Sequence, residues 1–217
     1  MITIAVDGPS GAGKSTVADI IANKLGILHF NTGAIYRAIG VYVIEKGIDA
    51  RNEEQVNSVL DEIQVKIAFE NGEQRTILNG EDVTSKLYTM QVSDVASVTS
   101  TYKQVRDKIL DIQRDGAKEN SVIMEGRDIT SHVLPDAEYK FYIDASPEVR
   151  ADRRINDEKS DGCLLSYEEV LKEINERDRR DKTRTLCPLV IVEDAIYINT
   201  DNLTAEQVAD KMISYIK

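Results

Sequence analysis

Short apolar runs and longer amphipathic stretches take turns along the chain. Ile2-Thr-Ile-Ala-Val6 is a continuous, β-branched run, and Val17, Ile20, Ile21 and Leu25 then recur at helical spacing. Gly26-Ile-Leu-His-Phe30 predicts a second strand, and Asn31-Thr-Gly-Ala-Ile-Tyr-Arg37 opens a helix running to about Lys46. The texture changes from Gly47 to about Leu87. There Gln64–Phe69 alternates with period two, Glu70-Asn-Gly-Glu73 supplies a hairpin turn, and Arg75–Leu78 with Asn79-Gly80 supplies the next strand and turn. Residues 90 to about 118 form a helical stretch bent near Ser100-Thr-Tyr102, with Val105, Ile109 and Ile112 on one face.

Ser121-Val-Ile-Met124 is fully apolar, as a buried parallel strand requires, and Lys140-Phe-Tyr-Ile143 is the next strand. Ser146-Pro147 caps a helix that polar residues from Asn156 to Gly162 interrupt, and the capping box Ser166-x-x-Glu169 restarts it. The chain closes with Ala195–Ile198 and a helix capped by Thr204-x-x-Gln207, whose Val208, Met212, Ile213 and Ile216 fit core packing. Strands at 2–7, 27–30, 121–125, 139–144 and 195–199 alternating with helices predict an α/β fold, a doubly wound five-stranded parallel sheet with flanking helices. The expected organisation is a core of residues 1–46 and 88–217, a helical lid at about 150–166, and a small antiparallel insert at 47–87.

Composition narrows the partners. With 217 residues and 41% hydrophobic content the chain can bury a substantial core. Its 38 acidic and 27 basic residues give a net charge of −11, which argues against nucleic acid or an anionic membrane surface as partner, so any basic site must be local. A start directly in a strand, with no apolar run long enough to span a bilayer, points to the cytoplasm. Cys163 and Cys187 lie far apart without metal-ligand companions and read as two reduced thiols.

The chemistry begins at Gly8-Pro-Ser-Gly-Ala-Gly-Lys-Ser15, followed by Thr16, which fits G-x-x-x-x-G-K-[ST] between a strand and a helix. In such a phosphate loop (P-loop) the backbone of Gly8, Pro9, Ser10, Gly11, Ala12 and Gly13 surrounds phosphate oxygens, Lys14 reaches the terminal phosphates and Ser15 ligates Mg²⁺. Glu125, at the end of a buried strand, is placed to act on the Mg²⁺ through water. A P-loop binds nucleoside triphosphate; the acceptor could be water, a hydroxyl or another phosphate. Arginine count separates these. Arg37, Arg127, Arg150, Arg154, Arg177 and Arg184 fall at strand ends or on lid-like helices, more cations than one γ-phosphate needs, and two phosphoryl groups in contact would need them. Arg150, Arg153 and Arg154 crowd one helix face, a self-repulsive arrangement unless an anion joins it. Arg177, Asp181 and Arg184 share a face that could equally be an ion-paired solvated surface.

The P-loop, Thr32-Gly-Ala-Ile-Tyr-Arg37, Gly126-Arg-Asp128, the arginines after Ser146, and Glu176-Arg-Asp…Asp181…Arg184 before Pro188-Leu189 together resemble bacterial cytidylate kinases over nearly the whole chain. The resemblance implies a monomeric enzyme transferring the γ-phosphate of ATP to CMP or dCMP, with the 47–87 insert as an extended monophosphate-binding segment. By position, Arg37, Arg127 and Arg184 would hold the acceptor phosphate, Arg177 and Asp181 the ribose, Ser97, Arg106 and Asp128 the cytosine, with Thr32 and Tyr36 beside them. Arg150 and Arg154 would be lid arginines at the transferring group, sharing catalysis with Lys14, Arg127 and Arg184. Cytosine suits Asp128 and Arg106, because an exocyclic amine beside N3 and O2 is read by a carboxylate and a guanidinium together. The family generally has Ser at Thr32, Asp at Glu125, and Ile-Gly-Thr-Val at Ile129-Thr-Ser-His132. Thr130 therefore marks a loop expected to differ locally, and His132 reads as a satisfied loop histidine before it reads as an acceptor contact. A P-loop kinase for another small acceptor and a nucleotide-dependent switch module are the competing readings.

Overall fold

The five apolar runs pair into one parallel sheet because each is flanked by a helix that covers the face its alternate residues present. A computed structural model of the chain describes residues 1–118, 120–161 and 166–216; the lid tip at 162–165, with Cys163, lies outside the described residues. In chain order the elements are β1 (Thr3–Asp7), α1 (Lys14–Leu25), β2 (Leu28–Asn31), α2 (Thr32–Glu45), α3 (Glu53–Ser58), β3 (Val65–Glu70), β4 (Glu73–Leu78) and β5 (Glu81–Asp82). There follow α4 (Met90–Thr99), α5 (Lys103–Lys118), β6 (Val122–Gly126), β7 (Tyr139–Asp144), α6 (Pro147–Asp161), α7 (Tyr167–Thr183), β8 (Ile196–Asn199) and α8 (Ala205–Ile213). The main sheet runs β2-β6-β1-β7-β8, all parallel, and β3-β4-β5 form a separate antiparallel sheet.

Period two sorts the core into two layers. Ala5, Val122 and Met124 face one way, against α2 and α5 and the 47–87 segment, whereas Ile4, Val6 and Ile123 face α1 and α8. The α6–α7 hairpin has its own small cluster of Ala151, Val170 and Ile174, so it packs as a unit on the rim. Both capping boxes form at Ser166/Glu169 and Thr204/Gln207, and the bend at 100–102 separates α4 from α5. The chain departs from expectation at two places. Helix α6 runs on past Asn156 to Asp161, where the sequence predicts an interruption, since Glu and Lys are good helix formers although polar. The short helix α3, capped by Asn52 accepting from the Gln55 N–H, carries too little periodicity to be read in advance.

Gly116 shows how tightly the layers close. A Cβ there would collide with Phe30 Cε2, on a ring buried in its layer. Gly116→Ala is expected to lower stability by about 1–3 kcal/mol through overpacking, despite the better helix propensity of Ala. Thermal or urea unfolding reads it directly; unchanged stability would mean that α5 moves freely on β2.

Candidate functional site

The sheet reverses its order of addition at β1, which has β6 on one side and β7 on the other. Ligands of open α/β sheets bind beyond the strand ends at such a point, and here a cleft of about 820 Å³ opens there. Its floor is the P-loop. Gly8 lies so close to the Ile143 carbonyl that no Cβ would fit, and Gly13 adopts φ 90° to turn the chain into α1. No side chain caps that helix and no acidic residue sits in its first turn, leaving its N–H groups and dipole for an anion. Ser10 to Val17 line the cleft, whereas Gly8 and Pro9 do not.

Lys14 is buried and its ammonium donates to the Pro9 carbonyl at 2.7 Å. Burial, reinforced by the nearby Arg127 charge, pushes its pKa down to about 7. Glu125 is the opposite case. Burial raises its pKa, yet the hydrogen bond with His29, the Lys14 charge and the Ser15 hydroxyl outweigh it and bring the carboxyl to about 2. His29 bridges Asp19 Oδ1 at 2.6 Å and Glu125 Oε1 at 3.2 Å; burial opposes its charge, but the two carboxylates hold its pKa near 9. A permanently ionised Glu125 beside the Ser15 hydroxyl is an oxygen donor set of the kind that Mg²⁺ takes.

Asp7, directly before the P-loop, accepts from the N–H groups of Ile129 and Thr130 and from Thr130 Oγ1 at 2.9, 2.8 and 2.6 Å. The loop after β6 is thereby wound into a π-helical turn, Ile129–Val133, in which Thr130 is buried with its hydroxyl engaged. Thr130 is not among the non-glycine residues with positive φ. The His132 and Val133 carbonyls accept from Arg114, and His132 does not line the cleft. Burial raises the Asp7 pKa to about 6, against the lowering effect of those hydrogen bonds. The folded state therefore binds the extra proton between its unfolded pKa of 3.8 and about 6. Its contribution to stability is complete below the first value and is lost as pH rises through the second. Asp7→Asn is expected to flatten that part of a stability-against-pH curve measured by urea unfolding from pH 4 to 7.

The second half of the cleft is cationic. Thr32, Tyr36 and Arg37 from α2, Ser97 from α4, Arg127 and Asp128 after β6, and Arg177, Asp181 and Arg184 of α7 and its end all line it. Arg106 stands just behind them. Asp128 is buried between Arg106 and Arg184, hydrogen-bonded to the first and 3.3 Å from Nη2 of the second. Arg127 Nε donates to Asp181 Oδ2 at 3.0 Å, and Asp181 is buried, so this face of α7 turns inward. The solvated-face reading is thereby excluded. Burial, then the Arg127 charge, lowers the Arg177 pKa to about 10. Thr32 Oγ1 donates to the Glu125 carbonyl, and Ser97 Oγ accepts from Arg180, a residue that the sequence did not single out.

The three arginines of α6 do not need an anion to coexist. Arg150, only 2% exposed, grips Asp178 with both Nη atoms at 3.0 and 2.5 Å and donates to the Ala145 and Ser10 carbonyls. Arg153 reaches Thr200, and Arg154 pairs with Glu173 at 3.2 Å. The repulsion inferred from spacing is relieved by three different protein acceptors, which a linear pattern cannot reveal. Asp178 had a signal in hand, the Arg-Asp pair at 177–178, but nothing in the sequence pairs it with Arg150.

The cytidylate kinase family profile matches residues 4–217. The chain is 47% identical over 212 residues to a cytidylate kinase of Caldicellulosiruptor saccharolyticus, covering 98% of this chain and 94% of that protein. It is 40% identical over 216 residues to one of Clostridium botulinum, covering 100% and 98%, and 39% identical over 216 residues to one of Bacillus licheniformis, covering 99% and 96%. An uncharacterised protein of Eubacterium ventriosum of known structure shares the fold with a TM-score of 0.54 at 14% identity, over 100% of this chain and 98% of that one.

Proposed function

The chain belongs to the cytidylate kinase family, and from that premise we propose that it transfers the γ-phosphoryl group of ATP to CMP, with dCMP as a second acceptor, by in-line displacement assisted by Mg²⁺. The observation that carries this reading is the pairing, in one cleft of a chain with net charge −11, of a P-loop with a separate nest of arginines around a buried carboxylate.

The acceptor phosphate, with a second pKa near ~6, is already largely a dianion at neutral pH and needs no general base. Binding and charge stabilisation remain for the protein. The P-loop N–H groups and Lys14 hold the triphosphate. Arg37, Arg127 and Arg184 hold the acceptor phosphate, and Arg177 and Asp181 the ribose. Asp128 accepts from the exocyclic amine of cytosine, oriented by Arg106 and assisted by Ser97. Uracil would set a carbonyl against that carboxylate. Ser15 and, through water, Glu125 would hold Mg²⁺, which neutralises charge on the phosphate oxygens. Arg154 serves the transferring group from the lid side; Arg150 joins it by exchanging Asp178 for a phosphoryl oxygen. In this reading residues 47–87 are the monophosphate-binding insert, 150–166 the lid that excludes water, and the protein a cytoplasmic monomer. Among the described residues no helix is long and apolar enough to cross a membrane.

A coupled assay for ADP with CMP, dCMP, UMP and AMP tests the reading. CMP and dCMP are expected to be the good acceptors. No ADP with any monophosphate would remove the kinase assignment, and preference for UMP would remove the base assignment.

A further inference from the structure

Tyr88 is 66% exposed, yet it stands in the wall of the cleft, unlike the other large exposed apolar residues described. Its ring lies over the Arg37 guanidinium, 4.9 Å from centroid to Cζ. Arg37 is held on two further sides. Its Nη2 donates to Asn31 Oδ1 at 3.2 Å, and its Nη1 lies over Gly33, where a Cβ would come within 2.9 Å. Its buried Nε has no hydrogen-bond partner among the described residues. The fork thus rests in a cradle made of an amide oxygen, a bare Cα and an aromatic face, with donor capacity left over. A planar fork binds phosphate bidentately only if its plane is fixed; the Tyr88 ring lies over that plane, and the Tyr88 hydroxyl also interacts with the guanidinium.

We propose that Tyr88 is a positioning residue for the acceptor phosphate, setting the plane of the Arg37 fork from the open side of the cradle. The proposal rests on the assignment of Arg37 to the acceptor phosphate. Tyr88 also joins the 47–87 segment to α4, and Gln74 of β4 exchanges hydrogen bonds of 2.8 and 3.2 Å with the Asn31 backbone. Two sides of the cradle are therefore tied to that segment, so its seating and the readiness of Arg37 go together.

The chain contains no tryptophan, which permits a direct test. In steady-state assays Tyr88→Ala is expected to raise KM for CMP about five- to tenfold, with KM for ATP unchanged and Tm within about 1 °C of the parent, the side chain being exposed. Tyr88→Phe keeps the ring and is expected to restore KM for CMP to within about twofold of the parent. Gly33→Ala, whose added Cβ would press within 2.9 Å of the fork, is expected to reproduce the Tyr88→Ala effect. Tyr88→Trp supplies a single indole whose emission should change on adding CMP and not on adding ATP alone. Equal KM values for CMP in Tyr88→Ala and the parent, or an indole blind to CMP, would overturn the role of Tyr88 while leaving the enzyme a CMP kinase. A parent that makes no CDP would instead overturn the acceptor reading, and this proposal with it.

Discussion

Lys14→Met is expected to lower kcat by on the order of 10³-fold while raising Tm by about 2–5 °C. The two effects have one origin. The Lys14 ammonium is enclosed by the P-loop with the Pro9 carbonyl as its hydrogen-bond acceptor, and burial and the Arg127 charge bring its pKa from 10.5 to about 7. The folded protein thus carries a cation that would rather be in water. In the proposed reaction a triphosphate would supply the counter-charge, and the cation would then stabilise the charge that develops on the transferring group. Methionine removes both the penalty and the stabilisation. Because the folded state binds this proton less tightly than the unfolded chain, the parent's stability should rise with pH between about 7 and 10.5. That slope should be missing from the variant. Coupled assays and thermal melts across this range decide the matter; lost activity with a lowered Tm would mean that Lys14 is a structural residue.

The second large effect is expected at Asp128. Its carboxylate lies buried between Arg106 and Arg184, the latter also donating from Nε to the Cys187 carbonyl at 2.7 Å. Asp128→Ala leaves two guanidinium groups enclosed without their counter-charge, which is expected to cost about 3–5 kcal/mol of stability. If Asp128 reads the cytosine amine as proposed, that acceptor is lost at the same time, and the ratio of kcat/KM for CMP over UMP should fall by a factor of about 10²–10⁴. Asp128→Asn keeps the shape and guards against unfolding as the explanation. Its amide can turn an N–H toward a uracil carbonyl, so discrimination should fall in this variant even where most of the stability survives. An unchanged CMP/UMP ratio in a folded Asp128→Asn protein would show that the base is read elsewhere.

How much of this was legible in advance follows from the range of each interaction. The P-loop, the capping boxes and the five strands rest on contacts within a few residues or on a period of two or 3.6, and they came out where the pattern put them. The candidate site residues were legible as residue types at strand ends and on helix faces. Their partners were not. Arg150 and Asp178 are 28 residues apart, Asp7 and Thr130 are 123, and His29 and Glu125 are 96. Spacing alone suggested that the α6 arginines repel one another, yet each finds its own acceptor, Arg150 and Arg154 on α7 and Arg153 at Thr200 after β8. Thr130, conspicuous as a departure from a family pattern, turns out to be hydrogen-bonded through its hydroxyl to the residue that precedes the P-loop. Tyr88 had no local signal at all, because an aromatic residue in a loop acquires meaning only from the guanidinium beneath it.

The sequence by itself determined the order and kind of the strands and longer helices, the triphosphate loop, and the excess of arginine that calls for a second phosphate. Periodicity and short motifs are written in neighbouring residues, so backbone geometry converts them into structure with little help from the rest of the chain. Only the tertiary structure decided which of those charges stay available in the cleft and which are spent on protein partners. It also decided that Glu125 stays ionised while Lys14 is poised near neutrality. Burial and long-range pairing set those states, and both come into being only when the strand ends of the sheet are brought together.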